Sequence, residues 1–427
     1  MKPATPLARI FPVVVSLTVF FLFLEVTLRI LPVAIPLSLL EQFEPEMRSH
    51  IAERRKLTTR KDTVLLERSD GGPPDRMWIY APATEVHQEF DEPHIVKTVT
   101  VDDEGFCNTP SDLYQTETFD IVTIGDSFTF CWTVAPDESW SAYLARFSGS
   151  SVYNLGLPGR GLYEYLELLR HYGLSKKPRI VVMNVYAGND FRDAYLYFES
   201  KARGADSVAR HACPFGSEAA CRAFVRLRHG PLGRNSYAYN FLAAAIWTVS
   251  ASANKSEIRF QYDVRLADGS TLQMNSRNGD RDEVEFAQRL VDGRLSTQMF
   301  DAALEEFARL ADQHDFVPVV SYTPSAYTAY DSMATFDDEA IAGTMSSYSD
   351  LLRTYFARKT SELDLAFVDL TPVLAEEAAT SADDSLLYFR TNVHFTPRGH
   401  RVAAREIHAL LNDRGLLAEE TGAHSTR

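Results

Sequence analysis

Basic residues are the scarce component of this 427-residue chain: 43 lysines and arginines stand against 58 aspartates and glutamates, a formal charge of -15. Binding to a phosphate backbone needs a concentrated basic face, so the composition argues against a nucleic-acid partner. The one basic cluster, Arg54, Arg55, Lys56, Arg60 and Lys61, is flanked by Glu53 and Asp62 and reads as solvated or membrane-proximal chain with no catalytic role. Cysteine is sparse as well, with four in all. Cys213 and Cys221, in CPFGSEAAC, are poorly suited to a zinc site, which would want further ligands nearby. Their spacing is easily closed by a disulfide, which fits an exported domain, with two free thiols as the alternative. Low-complexity tracts and internal repeats are absent. The 45% hydrophobic content is enough for one large core, or one core with a smaller appendage.

Long hydrophobic runs are confined to the N-terminus. Ile10 to Leu24 carries no charge and follows Lys2 and Arg9. Extended through Glu25 and Arg29 to Leu31, the run reaches a length of roughly 20 residues, enough for a bilayer. Glu25 and Arg29, four apart, can pair near the interface. No small-x-small cleavage site follows, since LPVAIP places Pro32 where a small residue is wanted. The run is therefore expected to be an uncleaved, single-pass anchor. Its basic flank places the N-terminus in the cytoplasm and everything after about residue 40 in the periplasm or outside the cell. A second apolar stretch, Ile30 to Leu40, contains Pro32 and Pro36 and is expected at the interface.

Beyond this anchor (1–40), a polar, proline-containing stem is expected over 41–95. From 96 to 415, strand-like runs at Ile121–Ile124, Val152–Leu155, Ile180–Val185, Val317–Tyr322 and Ala366–Leu370 alternate with helix-like segments. The helical segments lie near Ser139–Phe147, Leu162–Gly173, Thr297–Asp312, Ile341–Lys359 and Pro397–Leu411. This rhythm predicts an α/β domain with a central parallel sheet covered on both faces. It stops between about 191 and 295, read as an inserted α+β region that overhangs the carboxyl edge of the sheet. There, Tyr237–Val249 reads as a helix, and Ile258 to Met274 alternates with period two around a turn at Asp268-Gly269, a hairpin. Residues 416–427 are expected to form a disordered tail.

Four short segments sit just after predicted strands or before the last helix: GDSF (Gly125–Phe128), NLGLPGRG (Asn154–Gly161), AGND (Ala187–Asp190) and NVHFTPRGH (Asn392–His400). Singly each is a common turn. Together, in this order, they resemble the four signature blocks of the SGNH, or GDSL-type, hydrolases over roughly residues 95 to 415. The resemblance implies a three-layer α/β/α sandwich, a serine nucleophile at Ser127 supported by Asp126, and His394 as base. It also implies an oxyanion hole from the Ser127 and Gly159 amides and the Asn189 side chain, with neither metal nor organic cofactor. The residues agree with it: a serine lifted out of a strand end can expose both hydroxyl and amide, and a glycine lets a substrate oxygen approach its N–H. His400 is expected to pack at the start of the last helix.

The chain departs from that pattern at the acid. Thr391 stands three residues before His394 where Asp is usual, and a D-x-H arrangement would put Asn392 in that role. Neither ionises. Three arrangements remain open: a Ser-His dyad steadied by a backbone carbonyl or Thr391, a substitute acid such as Asp383 or Asp384, and a site that no longer turns over. Members with this type of N-terminus often read GFR upstream and GDSFTFG at the nucleophile. Here Cys107 and Cys131 occupy the variant positions, which implies a disulfide between them, with two small buried thiols as the alternative. The expected function is a membrane-anchored esterase acting on an O-acyl ester, its substrate an acylated carbohydrate of the cell envelope. The alternatives are O-acyl transfer to a sugar, of the kind resembling the alginate-acetylation proteins, and a non-catalytic scaffold.

Overall fold

The computed structural model describes residues 6–40, 43, 47, 50–51, 54, 63–67, 76–90, 95–108, 117–203, 227, 230–253, 261–275, 280–336, 338–382, 385–392 and 394–417. Cys213, Cys221, Asp383, Asp384 and the tail beyond 417 lie outside them. The strands, in chain order, begin with β1 (Thr63–Glu67), β2 (Arg76–Tyr80), β3 (Glu85–Phe90) and β4 (Ile95–Thr100). They continue with β5 (Ile121–Ile124), β6 (Val152–Asn154), β7 (Ile180–Tyr186), β8 (Gln261–Arg265) and β9 (Thr271–Asn275). The last three are β10 (Val317–Thr323), β11 (Ala334–Phe336) and β12 (Ala366–Asp369). The chain divides into two compact units, Met1–Asp62 with Glu199–Ile258, and Thr63–Phe198 with Arg259–Arg427.

The larger unit is built on a parallel five-stranded sheet in the order β12-β10-β7-β5-β6. Every residue of β5 and β7 is buried, because these strands are apolar on both faces and helices flank the sheet. The helices Trp140–Ser148, Leu162–Leu168, Asp301–His314, Glu339–Glu362 and Pro397–Asp413 fall where the periodicity places them. The α/β expectation holds. Counting only the parallel strands, the order doubles back between β5 and β7. Ligands in open α/β sheets bind beyond the carboxyl ends of the strands at such a switch point. β5 and β7 lead directly into the GDSF and AGND segments.

The stretch expected to be an irregular stem carries two antiparallel pairs instead, β1 with β2 and β3 with β4. Polar residues interrupt these strands (HQE in β3, KT in β4), which hides their alternation in the sequence. In the insertion, β8 and β9 pair as expected around Asp268-Gly269, where Gly269 takes a φ of +84°. Tyr262, Val264, Leu272 and Met274 form the buried face. An unforeseen third strand, β11, adds antiparallel to β8.

In the smaller unit the helix Pro6–Ile30 is long and apolar enough to cross a membrane. The anticipated Glu25–Arg29 ion pair is present at 2.6 Å. Glu25 Oε2 also accepts from Ser236 Oγ and from the Ala238 N–H, both at 2.8 Å. That carboxylate thus satisfies an otherwise orphaned donor at the start of the helix Tyr237–Ala253. Leu28, Ile35, Leu40, Tyr237 and Ala244 share one apolar cluster, so this part of the insertion packs with the N-terminal helix.

Candidate active site

Gly125 ends β5 where any side chain would fail: a Cβ there would lie 2.0 Å from Thr129 Oγ1 and 3.2 Å from the Asn184 carbonyl oxygen. The chain then makes a single turn, in which the Phe130 N–H reaches the Asp126 carbonyl at 2.9 Å. No α-helix follows Ser127 directly; the next one starts at Trp140. Three features divert the chain. Thr133 adopts a φ of +75°, its N–H donates to Gln88 Oε1 of β3 at 2.7 Å, and Cys131 is disulfide-bonded to Cys107, as the sequence suggested. Asp126 Oδ1 accepts the Phe128 N–H at 2.8 Å, so the acid shapes the turn from within. Ser127 remains partly exposed between buried neighbours.

His394 arrives from a tight loop ahead of the last helix. The Phe389 N–H donates to the His394 carbonyl at 3.1 Å and the Thr396 N–H to Leu387 at 2.9 Å, which closes the loop on itself. Thr396 then caps the helix, accepting from Gly399 N. The loop is tied to the Ser127 turn by Thr133 Oγ1, which donates to the Phe395 carbonyl at 3.3 Å. The outcome is a hydrogen-bonded row. Ser127 Oγ lies 2.7 Å from His394 Nε2, and His394 Nδ1 bonds Asn392 Oδ1, which also accepts the His394 backbone N–H at 3.1 Å. Of the acid positions left open, Asn392 makes this bond.

The surroundings of His394 are aromatic. Phe128 lies 5.0 Å from the imidazole between ring centroids and Trp132 6.3 Å, with Tyr186 stacked on Phe128 at 3.9 Å. Removal from water disfavours the imidazolium and lowers the His394 pKa to about 3, although the residue as a whole is not fully buried. His400 is fully enclosed at the start of the last helix, where its Nδ1 accepts the Trp140 N–H at 3.2 Å. Burial, reinforced by His394, lowers its pKa to about 3 as well.

Carboxyl groups cluster around Asn189. Burial raises Asp126 to about 7, against the opposing Phe128 N–H and with the charge of Asp193 adding to the rise. Asp190, which accepts from Tyr165 Oη at 2.5 Å and from the Tyr186 N–H at 2.7 Å, is pushed well above the carboxylate range by burial and by Asp126. Asn189 lies beside Asp126, and its Nδ2 donates to Asp193 Oδ2 at 3.0 Å. A hydrogen bond from the same side chain to the Asp126 carboxyl holds the Asp126 pKa down against its burial. Gly159 sits in the exposed loop after β6 at φ +68°, a conformation that favours glycine, with open space where its Cβ would stand.

The structure therefore joins Ser127, His394 and Asn392 directly, groups Asp126 with Asn189, and places Gly159 beyond the end of the neighbouring strand β6. Thr391 follows the same loop without displacing Asn392 from Nδ1. Sequence reasoning passed over Asn154. Its buried side chain donates to the Thr129 carbonyl at 2.7 Å and accepts the Gly156 N–H at 2.8 Å, tying the Ser127 turn to the Gly159 loop. The signal was an asparagine at a strand end, which reads equally well as a turn residue.

No protein-family model matches the chain, and no curated protein matches its sequence. Among solved structures, it is similar to Axe2, an acetylxylan esterase from Geobacillus stearothermophilus, at 13% identity and a TM-score of 0.35, covering 68% of this chain and 93% of that one. The acetyl xylan esterase AlAXEase is similar at 13% and 0.32, covering 68% and 98%. LAE5, an alpha/beta hydrolase enzyme from the metagenome of Lake Arreo, Spain, is similar at 14% and 0.35, covering 72% and 100%. At these values the fold rests on the chain's own strand order.

Proposed function

We propose that the protein is a serine esterase that removes an O-acyl group through a Ser127 acyl-enzyme. The observation that carries this reading is the 2.7 Å contact between Ser127 Oγ and His394 Nε2 at the switch point of the sheet. Ser127 Oγ attacks the ester carbonyl carbon while its proton passes to Nε2. The carbonyl oxygen takes the negative charge, supported by the amides of Ser127 and Gly159 and by Asn189 Nδ2. The bond to the alcohol then breaks and the imidazolium returns the proton to the leaving oxygen. Water repeats the sequence on the acyl-enzyme, releasing the carboxylic acid and restoring Ser127.

A neutral imidazole is the form this cycle starts from, and the aromatic wall favours it. Trp132, half-exposed beside His394, offers a flat face suited to a sugar ring, which supports an acylated carbohydrate as substrate. The apolar helix Pro6–Ile30 supports anchorage in a membrane, with the sheet-bearing unit outside the cytoplasm. The test is p-nitrophenyl acetate turnover by detergent-solubilised full chain beside Ser127→Ala. Serine-dependent release of nitrophenol is expected, and equal rates in the two proteins would remove the proposal. Adding an oligosaccharide acceptor distinguishes hydrolysis from transfer, since transfer would divert the acetyl group to the sugar.

A further inference from the structure

We infer that Asn392 is the positioning residue of this site, a neutral carboxamide that fixes His394 in its working tautomer so that the cycle runs with an amide in place of an acid on Nδ1. The inference rests on the serine-esterase reading and adds to it the identity of the third group.

The reasoning starts from an amide's ambiguity. A carboxamide can turn either its oxygen or its NH₂ toward an imidazole, and in serine triads the Asp→Asn change costs about 10⁴ in kcat because the wrong tautomer results. Here the ambiguity is removed locally. Asn392 Oδ1 accepts the backbone N–H of His394 at 3.1 Å, two residues along the chain, and the same oxygen meets His394 Nδ1. Turning the amide over would aim NH₂ at a backbone donor and leave the His394 N–H without its acceptor. The oxygen therefore stays, and Nδ1 must be the nitrogen that carries the proton. Nε2 is left with its lone pair facing Ser127 Oγ at 2.7 Å. Asn392 is itself buried, 8% exposed, so water does not compete for that oxygen.

The groups facing the imidazole complete the case. Ser127, Phe128 and Trp132 come from the nucleophile turn, Asn392 from its own loop, and His400 from the last helix. None of these described groups is an acid. With a carboxamide in place of a carboxylate on Nδ1, the site gains a base that stays neutral far below the usual histidine range and forgoes charge stabilisation in the transition state from that position.

The experiment measures kcat/KM for p-nitrophenyl acetate against pH in the full chain, as wild type, Asn392→Asp, Asn392→Leu and Ser127→Ala. Wild type is expected to hold its rate as pH falls to about 5. Asn392→Asp is expected to shift the acidic limb upward by about 1–3 pH units, because a facing carboxylate favours the imidazolium. Asn392→Leu, with an unchanged melting temperature, is expected to lose about 10²–10⁴ in kcat with little change in KM. An acidic limb unmoved in Asn392→Asp, or wild-type kcat in Asn392→Leu, would overturn the inference. A downfield proton resonance from His394 Nδ1–H, sought in the Ser127→Ala background, reads the tautomer without catalysis. It should vanish in Ser127→Ala/Asn392→Leu, and its persistence there would also overturn the inference. Failure of the esterase reading shows differently, as wild type no faster than Ser127→Ala at every pH.

Discussion

The two sides of Ser127 are electrostatically unlike. Around Asn189 lie Asp126, Asp190 and Asp193, the first two fully buried, and around His394 lie Phe128 and Trp132, with Tyr186 stacked on Phe128. The acids shape backbone: Asp126 holds the turn, Asp190 holds the Tyr186 N–H, and Asp193 holds the Asn189 amide. The rings remove water from an imidazole whose Nδ1 partner is a neutral amide. The difference teaches that this chain uses its carboxyl groups to place amides and its aromatic groups to keep an imidazole neutral. A conventional triad would put one carboxylate on the histidine side.

Four variants break or sharpen that contrast. The largest effect is expected from Ser127→Ala, which removes the atom both sides converge on and should take ester turnover to background in a stopped assay. Asn189→Ala on the acid-lined side should cost about 10²–10³ in kcat, read by steady-state kinetics, if its amide donates to the oxyanion. Replacing Cys107 and Cys131 together by serine should lower stability by about 3 kcal/mol in denaturant titration, from the chain entropy of a closed loop of this size.

The smallest effect concerns pH, and its sign differs between the two sides. His394 and His400 have folded pKa values of about 3, below the unfolded 6.5, so the unfolded chain binds more protons between those values. Their stabilisation is complete above pH 6.5 and is lost as pH falls through that window. Asp126 runs the opposite way. Its folded pKa of about 7 lies above the unfolded 3.8, so its contribution is complete below 3.8 and is lost as pH rises through 7. Asp126→Asn, which keeps the acceptor for Phe128 N–H, should raise the melting temperature at pH 8 by about 2–4 °C and leave the acidic decline in place. Calorimetry at both pH extremes checks it.

Much of the sheet was legible because β5, β7 and β10 are apolar runs framed by helical periodicity. The hairpins β1–β4 were not, since polar residues in β3 and β4 mask a period of two. Ser127 and His394 could be found from the residues around them. Asn392 was one of several options, because only three-dimensional structure shows its oxygen meeting both the backbone N–H and Nδ1 of His394. Asn154 and Thr133 act through backbone carbonyls far away in sequence, contacts that no local pattern encodes.

The central claim is that Ser127 Oγ becomes acylated. Brief incubation of the full chain with p-nitrophenyl acetate, acid quenching and peptide mass spectrometry tests it most directly. An acetyl group on the peptide containing Ser127, absent in Ser127→Ala and accumulating in Asn189→Ala more slowly than in wild type, is the predicted result. Acetylation of other residues only, or none in a protein that still releases nitrophenol, would contradict it.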